Sequence, residues 1–135
     1  MNRTAIILGT ARSNGNTATV TEKIANELSA KVFDINKYNI LPFDYEYKNQ
    51  NDDFLSLIKE ILTYENIVFS TPVYWFSPSM QMKLFLDRMT DYLGMTFKGK
   101  IHCACPFDDT GKSETPSFDY SKYKDSIQNF SSQLK

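Results

Sequence analysis

The spacing of apolar positions changes repeatedly along the chain, and the changes predict strands alternating with helices. Residues 5–9 form a continuous apolar run ending in glycine, the pattern of a strand buried on both faces. A polar stretch, residues 10–17, follows. Val20, Ile24, Ala25 and Leu28 then recur at helical spacing and predict an amphipathic helix over ~17–29, capped by Asn16 or Thr17. Residues 31–35 read as a short second strand and 36–51 as a long polar and aromatic loop. Phe54, Leu57, Ile58, Ile61 and Leu62 mark a helix over ~52–64, and residues 66–70 a third strand. After a loop at 71–77, Ser77 before Pro78 signals a helix start. Met82, Phe85, Leu86, Met89 and Leu93 continue that helix to Gly94. Residues 101–105 read as a fourth strand, 106–117 as loop, and ~119–134 as a helix with Tyr123, Ile127, Phe130 and Leu134 on one face.

Strands alternating with helices imply βαβ units and a parallel sheet. The expectation is an α/β fold of one domain, residues 1–135, with four strands. A length of 135 residues suits one domain, and 41% hydrophobic residues suffice for a core. A net charge of -1 offers no basic surface for nucleic acid or an anionic membrane. No stretch approaches the ~20 apolar residues of a membrane span. Cys103 and Cys105 would share one face of a strand, poorly placed for a disulfide, while His102 would face away from them. These cysteines read as reduced and structural, without metal. The start of the chain lacks a secretory signal pattern, so a cytoplasmic location is expected.

Candidate chemistry concentrates in two loops. In open α/β sheets ligands bind at the carboxyl ends of strands where the strand order reverses. The loops there are 10–17 and 71–77. The first leads into a helix N-terminus, where free N–H groups attract phosphate. Thr10, Ser13, Asn16 and Thr17 add short donors, Arg12 adds a permanent charge, and Gly15 lets the backbone approach an anion. An ordinary polar loop before a capped helix explains the same spacing equally well. The second loop carries Tyr74, Trp75 and Phe76 after Pro72 and Val73. Three consecutive aromatics cannot all point inward, so they suit a planar ring or a subunit contact.

I-L-G-T-A-R-S-N-G-N-T resembles the phosphate loop of the NADPH-dependent FMN reductase family, within the flavodoxin-like superfamily. T-P-V-Y-W-F-S-P-S-M-Q-M-K-L-F-L-D-R resembles that family's second flavin loop and following helix. The resemblance implies a flavodoxin-like three-layer α/β/α sandwich, bound FMN, NAD(P)H as electron donor and a homodimer. Carried over by position, Thr10, Arg12, Ser13, Asn16 and Thr17 hold the phosphate, while Pro72, Val73, Tyr74, Trp75 and Phe76 line the ring. No protein acid or base is required, since the cofactor carries the chemistry. Family members usually have a fifth strand, so this is identified as a shortened member, with four strands in the order 2-1-3-4. Asp108, Asp109, Thr110 and Gly111 stand where the family often has a Thr-Gly-Gly type turn. The activity implied is electron transfer from NAD(P)H through FMN to a small acceptor such as a flavin or quinone. Two alternatives remain open at this stage: a flavin-binding electron carrier, and a shortened non-catalytic protein acting through protein contacts.

Overall fold

The computed structural model describes residues 3–89, 121 and 124–134. The chain divides into two compact units, Met1–Thr96 and Phe97–Lys135.

Among the described residues, the first unit is built on three parallel strands in the order β2-β1-β3, the first part of the expected order. Its strands are β1 (Thr4–Leu8), β2 (Lys31–Asp34) and β3 (Asn66–Ser70). Ile7 of β1 registers with Phe33 on one side and Phe69 on the other. Every residue of β1 is buried, as its unbroken apolar run predicts. β3 is only half-buried, and Phe69 is exposed.

Alternation along β1 divides its side chains between the two faces of the sheet. Ala5 and Ile7 join Phe33 in the main core with Phe54, Leu57, Ile58 and Ile61 of α2 (Phe54–Ile61) and Met82 and Phe85 of α3 (Met80–Arg88). On the opposite face lies α1 (Asn16–Leu28), which buries Thr21, Ile24 and Ala25. Thr21 Oγ1 bonds Ser70 Oγ at 2.7 Å and so ties α1 to the end of β3. Among the described residues the unit therefore has one helix on one face and two on the other, as right-handed crossovers require. Ser29 closes α1 in the left-handed conformation at φ 50°.

The segment after β2 is anchored rather than loose. Arg88 Nη1 donates to the Leu41 carbonyl at 2.8 Å and to Asp52 Oδ2 at 2.5 Å. Its guanidinium also lies 4.5 Å from the centre of the Phe54 ring. Both charged side chains are buried, and each is supported by further bonds, as burial demands. Asp52 accepts from the amides of Leu41 and Phe54.

Two expectations change. The segment 71–78 contains a short antiparallel hairpin, β4 (Val73–Tyr74) with β5 (Ser77–Pro78). The helix signal at Ser77–Pro78 is therefore displaced: Ser79 is the N-cap, its Oγ accepting from the Met82 amide at 3.1 Å. Ser79 prevails because its hydroxyl is anchored at the same time to the end of β1.

In the second unit, α4 (Lys124–Gln133) buries Ile127 and Phe130, with Leu134 beyond its end also buried. The expected strand at 101–105, with His102, Cys103 and Cys105, lies outside the described residues, as do the loop at 106–117, Tyr123 and the third helix's expected end at Leu93 and Gly94. No described helix is long and apolar enough to cross a membrane.

Candidate functional site

Because β1 sits between β2 and β3, the segments leaving all three strands meet at one edge of the sheet. Gly9 is the hub. Its amide donates to the Ser70 carbonyl at 2.9 Å, extending the ladder past β1. Its carbonyl accepts from Ser79 Oγ at 2.7 Å. Added there, a Cβ would lie 2.8 Å from Met82 Cβ and 2.9 Å from Met82 Cα. Glycine at this position lets the first turn of α3 close against the start of the 10–15 loop.

In that loop, Arg12, Ser13 and Asn14 are exposed and Thr10 is buried. The N-cap of α1 is Gly15, which has no side chain with which to cap the helix. This corrects the expectation that Asn16 or Thr17 does so. Both instead lie half-buried in the first turn, with the Thr17 carbonyl accepting from Thr21 Oγ1 at 2.7 Å.

Arg12 folds back over that end. Its Nε and one terminal nitrogen lie 3.8 Å from where a Gly15 Cβ would stand. A guanidinium beside the positive end of a helix dipole is poorly matched unless an anion sits between them. Gly15 itself has an ordinary extended conformation, φ -85°, and a Cβ would make only normal contacts. The special backbone freedom expected of this glycine is not used.

A residue the sequence reading did not single out completes the loop. Asn36, in the single 3-10 turn Ile35–Lys37 after β2, donates through Nδ2 to the Thr10 carbonyl at 2.7 Å and to Ser13 Oγ at 3.3 Å. Asp34 fixes the turn by accepting from the Asn36 amide at 3.1 Å. No motif marks Asn36, and only the pairing of β1 with β2 brings it to Thr10.

The hairpin at 73–78 carries the aromatic candidates. Pro72 is half-buried, and Val73 and Tyr74 are exposed. Trp75 and Phe76 form the turn and are 95% and 100% exposed, which excludes a core role. Both have positive φ, 49° and 64°. A two-residue turn of this kind normally takes Asn-Gly. Two bulky residues held there mark a backbone whose conformation is set by its surroundings or its use.

The structure thus places every expected site residue in the two segments leaving β1 and β3, joined through Gly9 and Ser79. A separate cavity of about 140 Å³, lined by Phe43, Tyr47, Asn49, Gln50 and Arg88 among others, involves none of them. Among the described residues no group of His, Cys, Asp or Glu is placed to hold a metal.

Residues 2–106 match the family model described as NADPH-dependent FMN reductase. Over 95 residues the chain is 36% identical to a putative NAD(P)H-dependent FMN-containing oxidoreductase, YwqN, of Bacillus subtilis, covering 66% of this chain and 52% of that protein. An iron-sulfur flavoprotein of Archaeoglobus fulgidus is 29% identical over 107 residues, covering 70% and 49% respectively. A solved structure described as the Trp repressor binding protein from Bacillus subtilis superposes with a TM-score of 0.50 at 31% identity, covering 67% of this chain and 47% of that one. The chain spans about half the length of these relatives.

Proposed function

Because the chain belongs to the NADPH-dependent FMN reductase family, with a flavodoxin-like fold, we propose that it binds FMN and passes electrons from NAD(P)H through it to a small acceptor of the flavin or quinone class. The observation that carries this reading is the Arg12 guanidinium beside Gly15, the N-cap of α1. Two sources of positive potential converge there, and a phosphate monoester suits them.

Thr10, Arg12 and Ser13 hold the phosphate with the first-turn residues Asn16 and Thr17. Pro72, Val73, Tyr74, Trp75 and Phe76 form one side of the ring site. When bound, FMN supplies the hydride and electron chemistry. The chain's own part is to bind the phosphate, orient the ring and limit access of water to it. No described side chain is assigned as a catalytic acid or base.

We further propose that residues 1–135 act as one FMN-binding domain, in the cytoplasm, as a homodimer. Trp75 and Phe76 with the exposed Tyr45 and Tyr47 give an apolar surface suited to a second copy. Neither nucleic acid nor membrane is a partner in this reading.

The test is to purify the chain, release its cofactor, and measure NAD(P)H oxidation with flavin and quinone acceptors. FMN in the released fraction with acceptor-dependent turnover supports the reading. FMN without turnover favours an electron carrier. No flavin uptake, even on reconstitution, contradicts it. Light scattering of the FMN-loaded chain should give a dimer mass.

A further inference from the structure

We propose that Ser79 is a positioning residue that couples the two halves of the flavin site. It rests on the FMN reading above and goes beyond it, because Ser79 touches neither half's ligand-facing residues.

Ser79 is 1% exposed. Its hydroxyl has one proton and two lone pairs. The Gly9 carbonyl, 2.7 Å away, can only accept, so it takes the proton. The lone pairs then face two donors, the Met82 amide at 3.1 Å and Thr71 Oγ1 at 3.2 Å. The Ser79 amide in turn donates to Thr71 Oγ1 at 3.0 Å. Capping α3 requires only the bond from Met82. The other bonds reach elsewhere. Gly9 is the residue before the 10–15 loop, and Thr71 lies between β3 and the 73–78 hairpin.

One buried hydroxyl therefore joins the start of the phosphate loop and the first turn of α3 to Thr71, whose own proton is shared between Ser79 Oγ at 3.2 Å and the Pro72 carbonyl at 3.0 Å. A ligand with a phosphate at one end and a ring at the other gains from both contacts only if their separation is held. Ser79 holds that separation together with the bond from the Gly9 amide to the Ser70 carbonyl. In Ser79→Ala, Gly9, Thr71 and Met82 each lose the hydroxyl as a partner, and only the backbone bonds from residue 79 to Thr71 and from Gly9 to Ser70 still link the two segments.

The measurement is FMN and riboflavin affinity by flavin fluorescence titration of the full-length chain, well below each variant's Tm, together with the bound flavin's visible spectrum. Riboflavin reports the ring half alone, and the ratio of the two affinities reports what the phosphate adds. In Ser79→Ala we expect FMN to bind about tenfold more weakly, the worth of one good hydrogen bond. The FMN-to-riboflavin affinity ratio should shrink and the flavin band should shift. Ser79→Thr, which keeps the hydroxyl, should recover part of the ratio. A merely structural Ser79 would lower Tm and leave ratio and spectrum unchanged, and that result overturns the proposal.

If Ser79→Ala does not fold, Thr71→Val removes only the Thr71 bonds. It should move the ratio in the same direction, and an unchanged ratio overturns the proposal. A wild-type chain that takes up no FMN overturns the FMN reading and this inference together. Normal wild-type binding with an unaltered Ser79→Ala ratio overturns this inference alone.

Discussion

Asn36 Nδ2 donates to the main-chain carbonyl of Thr10 at 2.7 Å, linking the turn after β2 to the first residue of the proposed phosphate loop. A carbonyl in an anion-binding loop presents the wrong sign of potential, and Asn36 occupies it. Asn36→Ala is predicted to weaken FMN binding about two- to tenfold, the range for one hydrogen bond. Asn36→Asp should weaken it more, since a carboxylate would face both the carbonyl and the phosphate. Riboflavin affinity should scarcely change in either variant. Isothermal titration with both ligands decides this, and equal losses for both would contradict it.

The hairpin tip makes the opposite kind of prediction. Trp75 and Phe76 occupy left-handed backbone positions, each costing roughly 1–2 kcal/mol for a residue with a Cβ. Replacing the pair by Asn-Gly should relieve that cost and raise the Tm of the flavin-free chain. If the aromatics serve the ring, flavin affinity should fall at the same time. A variant that loses stability, or gains it with flavin affinity intact, would show that the tip has no such role.

The buried pair of Arg88 and Asp52 has a pH signature. Burial pushes the Asp52 carboxyl upward, but bonds from Arg88 and from the amides of Leu41 and Phe54, with the Arg88 charge, outweigh it, and Asp52 titrates below its ordinary value. A depressed folded-state pKa contributes stability that is fully present above the unfolded value, about 3.9, and is lost as pH falls through the lower folded value. Asp52→Asn should therefore be destabilised near neutral pH, by about 3–5 kcal/mol if Arg88 is left without its counter-charge. Its Tm deficit against wild type should close below roughly pH 4. A deficit independent of pH would show that the charge is not the source.

Much of the framework was legible because β1 and β3 carry short apolar runs between helical patterns. The third strand falls at 66–70 as expected, and α1 lies within one residue of its expected bounds. Less legible were features that depend on tertiary contact. Pro at a first helical position is a local rule, and it pointed to Ser77 as the cap. The anchor to Gly9, seventy residues away, selects Ser79 instead. Asn36 and Thr10 are far apart in sequence and meet only through strand pairing. Gly15 drew attention as a glycine in a polar loop, yet Gly9 is the one whose missing side chain the packing requires.

For α4 the prediction is thermodynamic. Ile127 is fully buried, so Ile127→Ala should cost about 2–5 kcal/mol, as for other large apolar truncations in a core. Chemical denaturation of the full chain measures it. A loss below about 0.5 kcal/mol, typical of surface changes, would mean that this face does not contribute to the stable core.

The most direct test of the central claim, an FMN phosphate held between Arg12 and the N-terminus of α1, compares FMN and riboflavin binding in wild type and Arg12→Ala. A charge-assisted hydrogen bond contributes about 1.5–3 kcal/mol, so FMN affinity should fall roughly ten- to hundredfold. Riboflavin, which lacks the phosphate, should bind the variant as it binds wild type. Equal weakening of both ligands, or no effect on either, would contradict the placement of the phosphate at this loop.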